Sequence, residues 1–355
     1  MTSTVWWRWP LRGALAALGV AGGVVAGEHA LRAIDPFGGS YYRDTHRYLL
    51  ESIRIVPDAA RPDGRLFENA PGRTLEAHTS TFATDGAGLR AARADEAAPV
   101  LPRGAAADTG LRVLFVGDSV TLGWGVDHEQ TWVAALEQLA TAPDGRAVEA
   151  LNAGHLQYTT VQEVDWFVAN GVRLEPDLVV LVPVVNDLED NFALFSSMMA
   201  AEQERAGRKA TMGERLDAWY ATNLYGFRCT LAYLRVTGEL TEPDPEQGLA
   251  IEDRAEYRAG WPQASAALDR MRLACSERGI DMVVFDHTMP RLPGYRDWCE
   301  EQGVPWFDFT FTDEESAQPI RNSAADAHAN ALGHRFLAGK ALVALESTGH
   351  LVPRD

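Results

Sequence analysis

The sequence predicts an α/β protein in three layers, with a five-stranded parallel sheet between two layers of helices. Five short apolar runs, rich in branched and aromatic side chains, alternate with longer segments of helical periodicity. This alternation is typical of a parallel sheet with helices on both faces. The chain has 355 residues, of which 46% are hydrophobic, enough for one large core with accessory segments.

The periodicity places these elements in the last two thirds of the chain. A run of four to five apolar residues is too short for a helix and fits a buried strand. The predicted strands are 113–116, 148–151, 178–182, 282–285 and 306–309, and the predicted helices are 128–141, 160–170, about 214–236, 262–278 and 331–346.

The first part of the chain has a different composition. Residues 1–35 hold three tryptophans, Arg8 and Arg12 ahead of an uncharged stretch rich in glycine and alanine. This pattern predicts either an uncleaved signal anchor or a signal peptide that ends near Ala26 or Ala30. Both place the rest of the chain outside the cytoplasm, membrane-anchored or secreted. A buried helix of a soluble protein is the alternative.

Two further segments follow this amino terminus. Residues 36–110 are predicted to be an accessory segment and linker without chemistry of their own, with a short strand near 53–56. Residues 111–355 are predicted to form the main sheet domain. The net charge of -18 argues against nucleic acid or an anionic membrane surface as the main partner. Contact with a membrane is expected through the amino-terminal segment only.

No cofactor or metal is expected. Cys229, Cys275 and Cys299 lack the spacing of metal ligands, and three cysteines allow at most one internal disulfide, so buried free thiols are expected. Asp286 and His287 follow a predicted strand, but no third ligand is spaced to complete a metal site. A polar strand terminus is the favoured interpretation of that pair.

One stretch combines a strand, a glycine, a serine and a helix. Gly117, Asp118 and Ser119 directly follow the strand at 113–116. This order puts a hydroxyl at the carboxyl edge of a sheet, where ligands bind in open α/β proteins. The alternative is an ordinary turn in which Asp118 or Ser119 only caps backbone amides.

Three later features are expected to reach the same edge. Gly154 ends the second strand, Asn186 follows the third, and Asp326 and His328 precede the last helix. Histidine is the base that a serine nucleophile needs at neutral pH. His334 is the rival histidine, although it is expected to lie inside the final helix.

Taken together, these blocks resemble the SGNH hydrolases, the superfamily of GDSL-type lipases, esterases and acylhydrolases. The first block matches at Gly117-Asp118-Ser119, the second at Gly154, the third at Asn186-Asp187, and the last at Asp326 and His328. The likeness spans residues 111–346 and implies a flavodoxin-like five-stranded sheet. It also implies roles for these residues: Ser119 as nucleophile, His328 as base and Asp326 as the acid of the triad.

The resemblance further implies an oxyanion hole made of the Ser119 N–H, the Gly154 N–H and the Asn186 side chain. Two positions depart from the family pattern. Val184 stands where the third block usually has glycine, and Asp326 lies two residues before His328 rather than three. Alternative acids are Asp313, Glu314 and Glu315, or a backbone carbonyl that orients the imidazole.

The expected function is that of a serine esterase or acylhydrolase that works through a Ser-His-Asp triad and an acyl-enzyme. Its expected substrate is a small ester, an O-acylated glycan or a lipid. An O-acyltransferase acting on a glycan would use the same residues, because only the acceptor differs. A non-catalytic binding module of the same fold is the third alternative. The sequence leaves the acyl length and the oligomeric state open.

Overall fold

The computed structural model describes residues 8–56, 67–94, 110–188 and 249–354, with the single positions 212, 225, 233, 234 and 237. The helix predicted at about 214–236 lies outside the described residues apart from those single positions, and so does Cys229. The chain forms two units. The smaller consists of Met1–Arg43, Glu202–Glu242 and Ser323–Asp326, and the larger contains the rest.

The smaller unit contains one long helix, α1 (Arg8–Ile34). Its segment Arg12–Ile34 has a mean hydropathy of 1.5, and none of it is buried. A helix of this length and composition is compatible with a membrane anchor or with a signal sequence. Elsewhere in this unit, the Ala325 N–H donates to the Phe37 carbonyl at 3.0 Å.

The helix α2 (Ser40–Glu51) leads from the smaller unit into the larger one. Two antiparallel strand pairs follow it, so the strand expected near 53–56 is confirmed. They are β1 (Ile53–Ile55) with β2 (Phe67–Asn69), and β3 (Thr74–Glu76) with β4 (Thr81–Ala83). The segment is tied to the sheet domain, since the Asn69 side chain donates to the Gly154 carbonyl at 2.9 Å.

The sheet domain alternates strands and helices as predicted. Its elements are β5 (Leu111–Gly117), α3 (Ser119–Leu122), α4 (Trp132–Leu139), β6 (Ala140–Thr141), β7 (Val148–Gly154), α5 (Thr160–Ala169), β8 (Leu178–Val182), α6 (Ala255–Ser276), β9 (Asp281–Asp286), α7 (Pro293–Gln302), β10 (Trp306–Asp308), α8 (Asp313–Ser316), α9 (Ala331–Ser347) and β11 (Val352–Pro353). The five-stranded sheet has the order β10-β9-β8-β5-β7, and all its neighbours are parallel. This is the flavodoxin-like order, so the predicted fold is confirmed.

The core explains why the apolar runs form the sheet. All seven residues of β5 are buried, as expected for a central strand covered on both faces. On one face, the Trp132 ring lies 4.9 Å from Phe115 and 5.1 Å from Phe309, measured between ring centroids. The helices α4 and α9 pack over this cluster, while α5 and α6 pack against each other in the opposite layer.

Two helices differ by several residues from their predicted bounds, and a third helix was not predicted. The segment 128–141 divides into a 3₁₀ turn (His128–Gln130) and α4, because the Thr131 hydroxyl accepts a hydrogen bond from the Ala134 N–H and starts a new helix. The helix α6 begins seven residues before the predicted start at Pro262, which lies inside it. The helix α7 was not predicted. Cys275 and Cys299 are free and buried, as expected.

Candidate active site

The register of three strands brings the predicted site residues to one edge of the sheet. Gly117, the last residue of β5, pairs with Gly154 at the end of β7 and with Val182 at the end of β8. Residues that directly follow these strands therefore lie at the same carboxyl edge. Ser119 and Asn186 both follow them within four residues.

The hydroxyl of Ser119 lies 2.9 Å from Nε2 of His328. Ser119 opens the short helix α3 and is nearly buried, whereas His328 is half-buried. The distance is that of a direct hydrogen bond between a nucleophile and its base. The two residues predicted to be nucleophile and base are thus brought together.

The loop that carries His328 is fixed by two asparagines. The Asn322 N–H donates to the His328 carbonyl at 2.9 Å. The Asn330 side chain accepts from the Leu332 N–H at 2.9 Å and so caps the start of α9. These bonds hold the imidazole at a set position directly before a buried helix.

Asp118 contacts the other groups of the site. Its Oδ1 accepts from the Val120 N–H at 3.0 Å, which makes it the cap of α3. Its Oδ2 lies 3.0 Å from the Ser119 oxygen, so Asp118 and His328 are both within reach of the single serine proton, and it accepts from the Asn186 amide at 3.4 Å. Burial raises the pKa of Asp118 above its ordinary value. The cap interpretation of Asp118 is therefore correct, and its second oxygen also links Ser119 to Asn186.

Asn186 lies in a 3₁₀ turn, Val185–Leu188, directly after β8. Its Nδ2 amide donates to Asp118, which also contacts Ser119. Val184, which stands where the resemblance predicts glycine, is buried. The larger side chain is thus accommodated in the core, and the asparagine still reaches the site.

Gly154 is closely packed and its amide is engaged. Its N–H donates to the Asn152 side chain at 3.0 Å. A Cβ added at Gly154 would lie 2.1 Å from the Leu122 nitrogen, so only glycine fits under α3. Stabilisation of an oxyanion by this N–H would require the Asn152 bond to be exchanged, and that role stays a prediction.

Asn152 is a residue of this site that the sequence analysis did not single out. Besides accepting from Gly154, it donates to the Thr121 carbonyl at 2.7 Å and so links the end of β7 to α3. The sequence signal for this residue is a polar side chain directly before Ala153-Gly154, at the end of an otherwise apolar strand. Gln157, in the following turn, has a φ of 65°, an uncommon value for a residue with a side chain.

Asp326 is buried. Its N–H donates to the Ser323 hydroxyl at 3.0 Å, and its carbonyl accepts from the Ser323 N–H at 3.1 Å. These bonds form a tight turn two residues ahead of His328. The assignment of Asp326 as the acid of the triad stays a prediction.

His334 lies within α9, as expected, and is fully buried. Its Nδ1 accepts a hydrogen bond from the Trp132 N–H at 3.2 Å.

Asp286, the residue that suggested a metal pair with His287, accepts from Thr288 and forms an ion pair with Arg291 at 3.0 Å. Within the described ranges, no group of three or more His, Cys, Asp or Glu residues is placed to hold a metal ion.

The sequence matches no protein-family model and no curated protein. Similar solved structures include the lipase/acylhydrolase from Enterococcus faecalis, at 14% identity and a TM-score of 0.37, over 69% of this chain and 98% of that chain. A GDSL-like lipase from Bacteroides thetaiotaomicron is similar at 12% identity and a TM-score of 0.35, over 67% and 89%. A catalytic mutant of an acetylxylan esterase from Geobacillus stearothermophilus is similar at 14% identity and a TM-score of 0.37, over 66% and 94%.

Proposed function

We propose that this protein is a serine esterase or acylhydrolase that cleaves a carboxylic ester through an acyl-enzyme. The observation that carries the proposal is the 2.9 Å contact between the Ser119 hydroxyl and Nε2 of His328. A serine hydroxyl is a weak nucleophile at neutral pH, and an adjacent imidazole is the usual means of activating it. The position of this pair at the carboxyl edge of a parallel sheet supports the proposal.

The chemistry follows from the roles of the two side chains. As Ser119 attacks the ester carbonyl, His328 takes the hydroxyl proton and the tetrahedral intermediate forms. His328 then gives that proton to the leaving alcohol, and the acyl group stays on Ser119. Water, activated by the same imidazole, hydrolyses the acyl-enzyme and restores the serine. Asp326 is proposed to orient the imidazole and to stabilise its charged form.

The developing oxyanion needs hydrogen-bond donors. The Asn186 amide is the proposed side-chain donor, supported by its 3.4 Å contact with Asp118, which places it beside the nucleophile. The Ser119 N–H and the Gly154 N–H are the proposed backbone donors. Because such donors act on charge that appears only in the transition state, they raise kcat more than they tighten substrate binding.

The proposed substrates are small esters, O-acylated glycans or lipids. The proposed location is outside the cytoplasm, either anchored through α1 or released after signal cleavage. The unburied helix Arg12–Ile34 supports this location, because its residues 13–27 carry no charge and Arg8 and Arg12 lie on the amino-terminal side of that stretch. The proposed acyl acceptor is water, so the proposed reaction is the hydrolysis of an ester.

The test combines a covalent probe with a substrate series. A fluorophosphonate should label the full-length protein at Ser119, identified by peptide mass spectrometry. p-Nitrophenyl esters of graded chain length should then be hydrolysed, and the preferred length identifies the acyl group. Labelling at another residue, or ester hydrolysis that persists in Ser119→Ala, would contradict the proposal.

A further inference from the structure

Two buried carboxyl groups outside the proposed triad lie close together at the turn that carries Asn186. Glu163 lies on α5 and is 0% exposed, and Asp187 directly follows Asn186 and is 2% exposed. Glu163 follows Thr160 by about one turn of α5, and the Thr160 hydroxyl bonds to Asp187, so the two carboxyl groups lie on the same side of this helix. Two acidic side chains this deeply buried require a physical account, because a charge costs several kcal/mol to bury without a partner.

One oxygen of Asp187 has a clear partner. Its Oδ2 accepts from the Thr160 hydroxyl at 2.7 Å, and the Thr160 oxygen lies 2.7 Å from the Tyr295 hydroxyl. Since Thr160 has a single proton and gives it to Asp187, the Tyr295 hydroxyl is the donor to Thr160. This chain of bonds accounts for Oδ2 and leaves Oδ1 to be explained.

The remaining oxygens have no conventional donor. Within the part of the chain that the structure describes, no N–H or O–H group donates to Asp187 Oδ1 or to either carboxyl oxygen of Glu163. The charged groups that act on the pair are themselves acidic: Asp118 on both carboxyls, and Asp286 on Asp187. Burial, followed by these negative charges, raises the pKa of both carboxyls well above the ordinary range.

We propose that Glu163 and Asp187 share one proton, and that the pair positions Asn186 as the oxyanion donor of the proposed esterase. A proton held between Glu163 and Asp187 Oδ1 gives Glu163 a hydrogen-bond partner and gives Asp187 a partner for its second oxygen. It also leaves the pair with one negative charge instead of two, which lowers repulsion with Asp118. The positioning role rests on the proposed function, whereas the shared proton does not.

The link to Asn186 is local. Asp187 is held at its side chain by Thr160 and the shared proton, and at its backbone by the N–H bond to the Val184 carbonyl at 3.2 Å. Its neighbour Asn186 is thereby fixed beside Asp118. Loss of the proton would free one end of this turn and add a negative charge near the place where the oxyanion forms. Both effects oppose the reaction.

The shared proton is tested directly by infrared difference spectroscopy on the full-length protein in detergent near neutral pH. Glu163→Gln and Asp187→Asn each replace the proton with an amide N–H and keep the net charge of the pair. Each variant should lose one carbonyl band of a protonated carboxylic acid that the wild type shows. Glu137→Gln is the matched control: Glu137 is a half-buried carboxyl of the same domain whose pKa is also raised by burial, and this variant should keep the band.

The positioning role is tested by kinetics on p-nitrophenyl esters. Glu163→Gln should keep kcat within about threefold, because its amide donates to Asp187 Oδ1 as the proton does. Glu163→Leu removes the donor and should lower kcat by about ten- to a hundredfold with little change in KM, as expected for a misplaced catalytic group. Circular dichroism checks that Glu163→Leu is folded.

Three outcomes would overturn the proposal: no band lost in either amide variant, full kcat in a folded Glu163→Leu, or equal kcat losses in Glu163→Gln and Glu163→Leu. A failure of the esterase assignment has a different signature. In that case the fluorophosphonate does not label Ser119, while the infrared band is still lost in Glu163→Gln and Asp187→Asn. The infrared result therefore decides on the shared proton even if no ester is hydrolysed.

Discussion

The backbone N–H of Trp132 donates a 3.2 Å hydrogen bond to Nδ1 of His334, which joins the first residue of α4 to the first turn of α9. Nδ1 can accept this bond only when it carries no proton, so His334 is held neutral. Burial, followed by the nearby His328, lowers the pKa of His334 to about 3. His334 thus bonds to the backbone of α4, and His328 is the one of these two histidines that contacts Ser119.

This bond predicts a loss of stability in acid. An unfolded histidine has a pKa of about 6.5, so unfolding makes His334 take up a proton at any pH between that value and its folded pKa. The stabilisation is fully present above about pH 6.5 and is lost as the pH falls towards about 3. In His334→Asn, whose amide oxygen accepts in place of Nδ1, Tm should fall less between about pH 7 and pH 4 than in the wild type. The exposed His46→Asn is the control, and equal pH dependence of Tm in His334→Asn and the wild type would contradict the prediction.

Ser119→Ala and His328→Ala should each lower kcat by about 10⁴-fold or more, and the double variant should be little worse than either single one. The reason is that nucleophile and base act as one unit across their 2.9 Å contact. Initial rates on a p-nitrophenyl ester measure the effect, with the exposed Ser276→Ala as control. Independent, additive losses would show that the two residues do not act together.

Asp326→Asn should lower kcat by about 10²- to 10⁴-fold, because an amide no longer stabilises the charged imidazole. The competing carboxylates have different surroundings. Glu315 is held by Lys340 at 3.0 Å and by the Thr312 N–H at 2.7 Å, while Asp313 and Glu314 are exposed. Asp313→Asn and Glu314→Gln are therefore the controls. Near-normal turnover in Asp326→Asn, with His328→Ala inactive, would place the acid elsewhere.

Asn186→Ala should lower kcat by about 10²- to 10³-fold and leave KM nearly unchanged, as expected for the loss of one oxyanion donor. Asn170→Ala is the matched control, because the Asn170 amide bonds instead to Glu68 at 2.9 Å. Steady-state kinetics separate the two parameters. A rise in KM at constant kcat would instead assign Asn186 to substrate binding.

The amino-terminal helix predicts that full-length protein sediments with membranes and that its sheet domain is accessible from outside the cytoplasm. The physical basis is the uncharged stretch 13–27 within the helix Arg12–Ile34, which follows Arg8 and Arg12. Fractionation and protease protection measure this. A mature chain that begins near residues 27–31 would select a cleaved signal peptide, and full-length protein soluble in the cytoplasm would contradict export.

The five strands were predictable because each contains a short run of apolar residues, as in 178–182, which is buried throughout and matches β8 at both ends. The pattern also identifies the edge strand β10, although its residues are only partly buried. The helices were less accessible to sequence reasoning. The sequence pattern predicts that a helix starts at Pro262, whereas α6 contains this proline in its third turn. The helix α7 escaped prediction because its sequence PGYRDWCEEQ has few apolar residues, and only Tyr295, Trp298 and Cys299 among its larger side chains are buried.

Within the site, residue types were predictable and hydrogen-bond partners were not. Ser119 and His328 were expected together, because a strand end and a helix start converge at one edge of the sheet. That the Gly154 N–H donates to Asn152 depends on a side-chain orientation that no spacing encodes. The closeness of the buried carboxyls of Glu163 and Asp187 depends on how α5 packs beside β8, and a glutamate within a predicted helix gives no sign of it.

Ser119 and His328 meet although 209 positions separate them along the chain. Their contact forms only after the central strand and the last helix have both docked, so closure of this long loop precedes any reactivity. Under the proposed mechanism, chains that stall during synthesis before residue 328 therefore lack the base that activates Ser119. A fluorophosphonate applied to nascent or refolding protein is therefore expected to label Ser119 only after the entire sheet domain has formed.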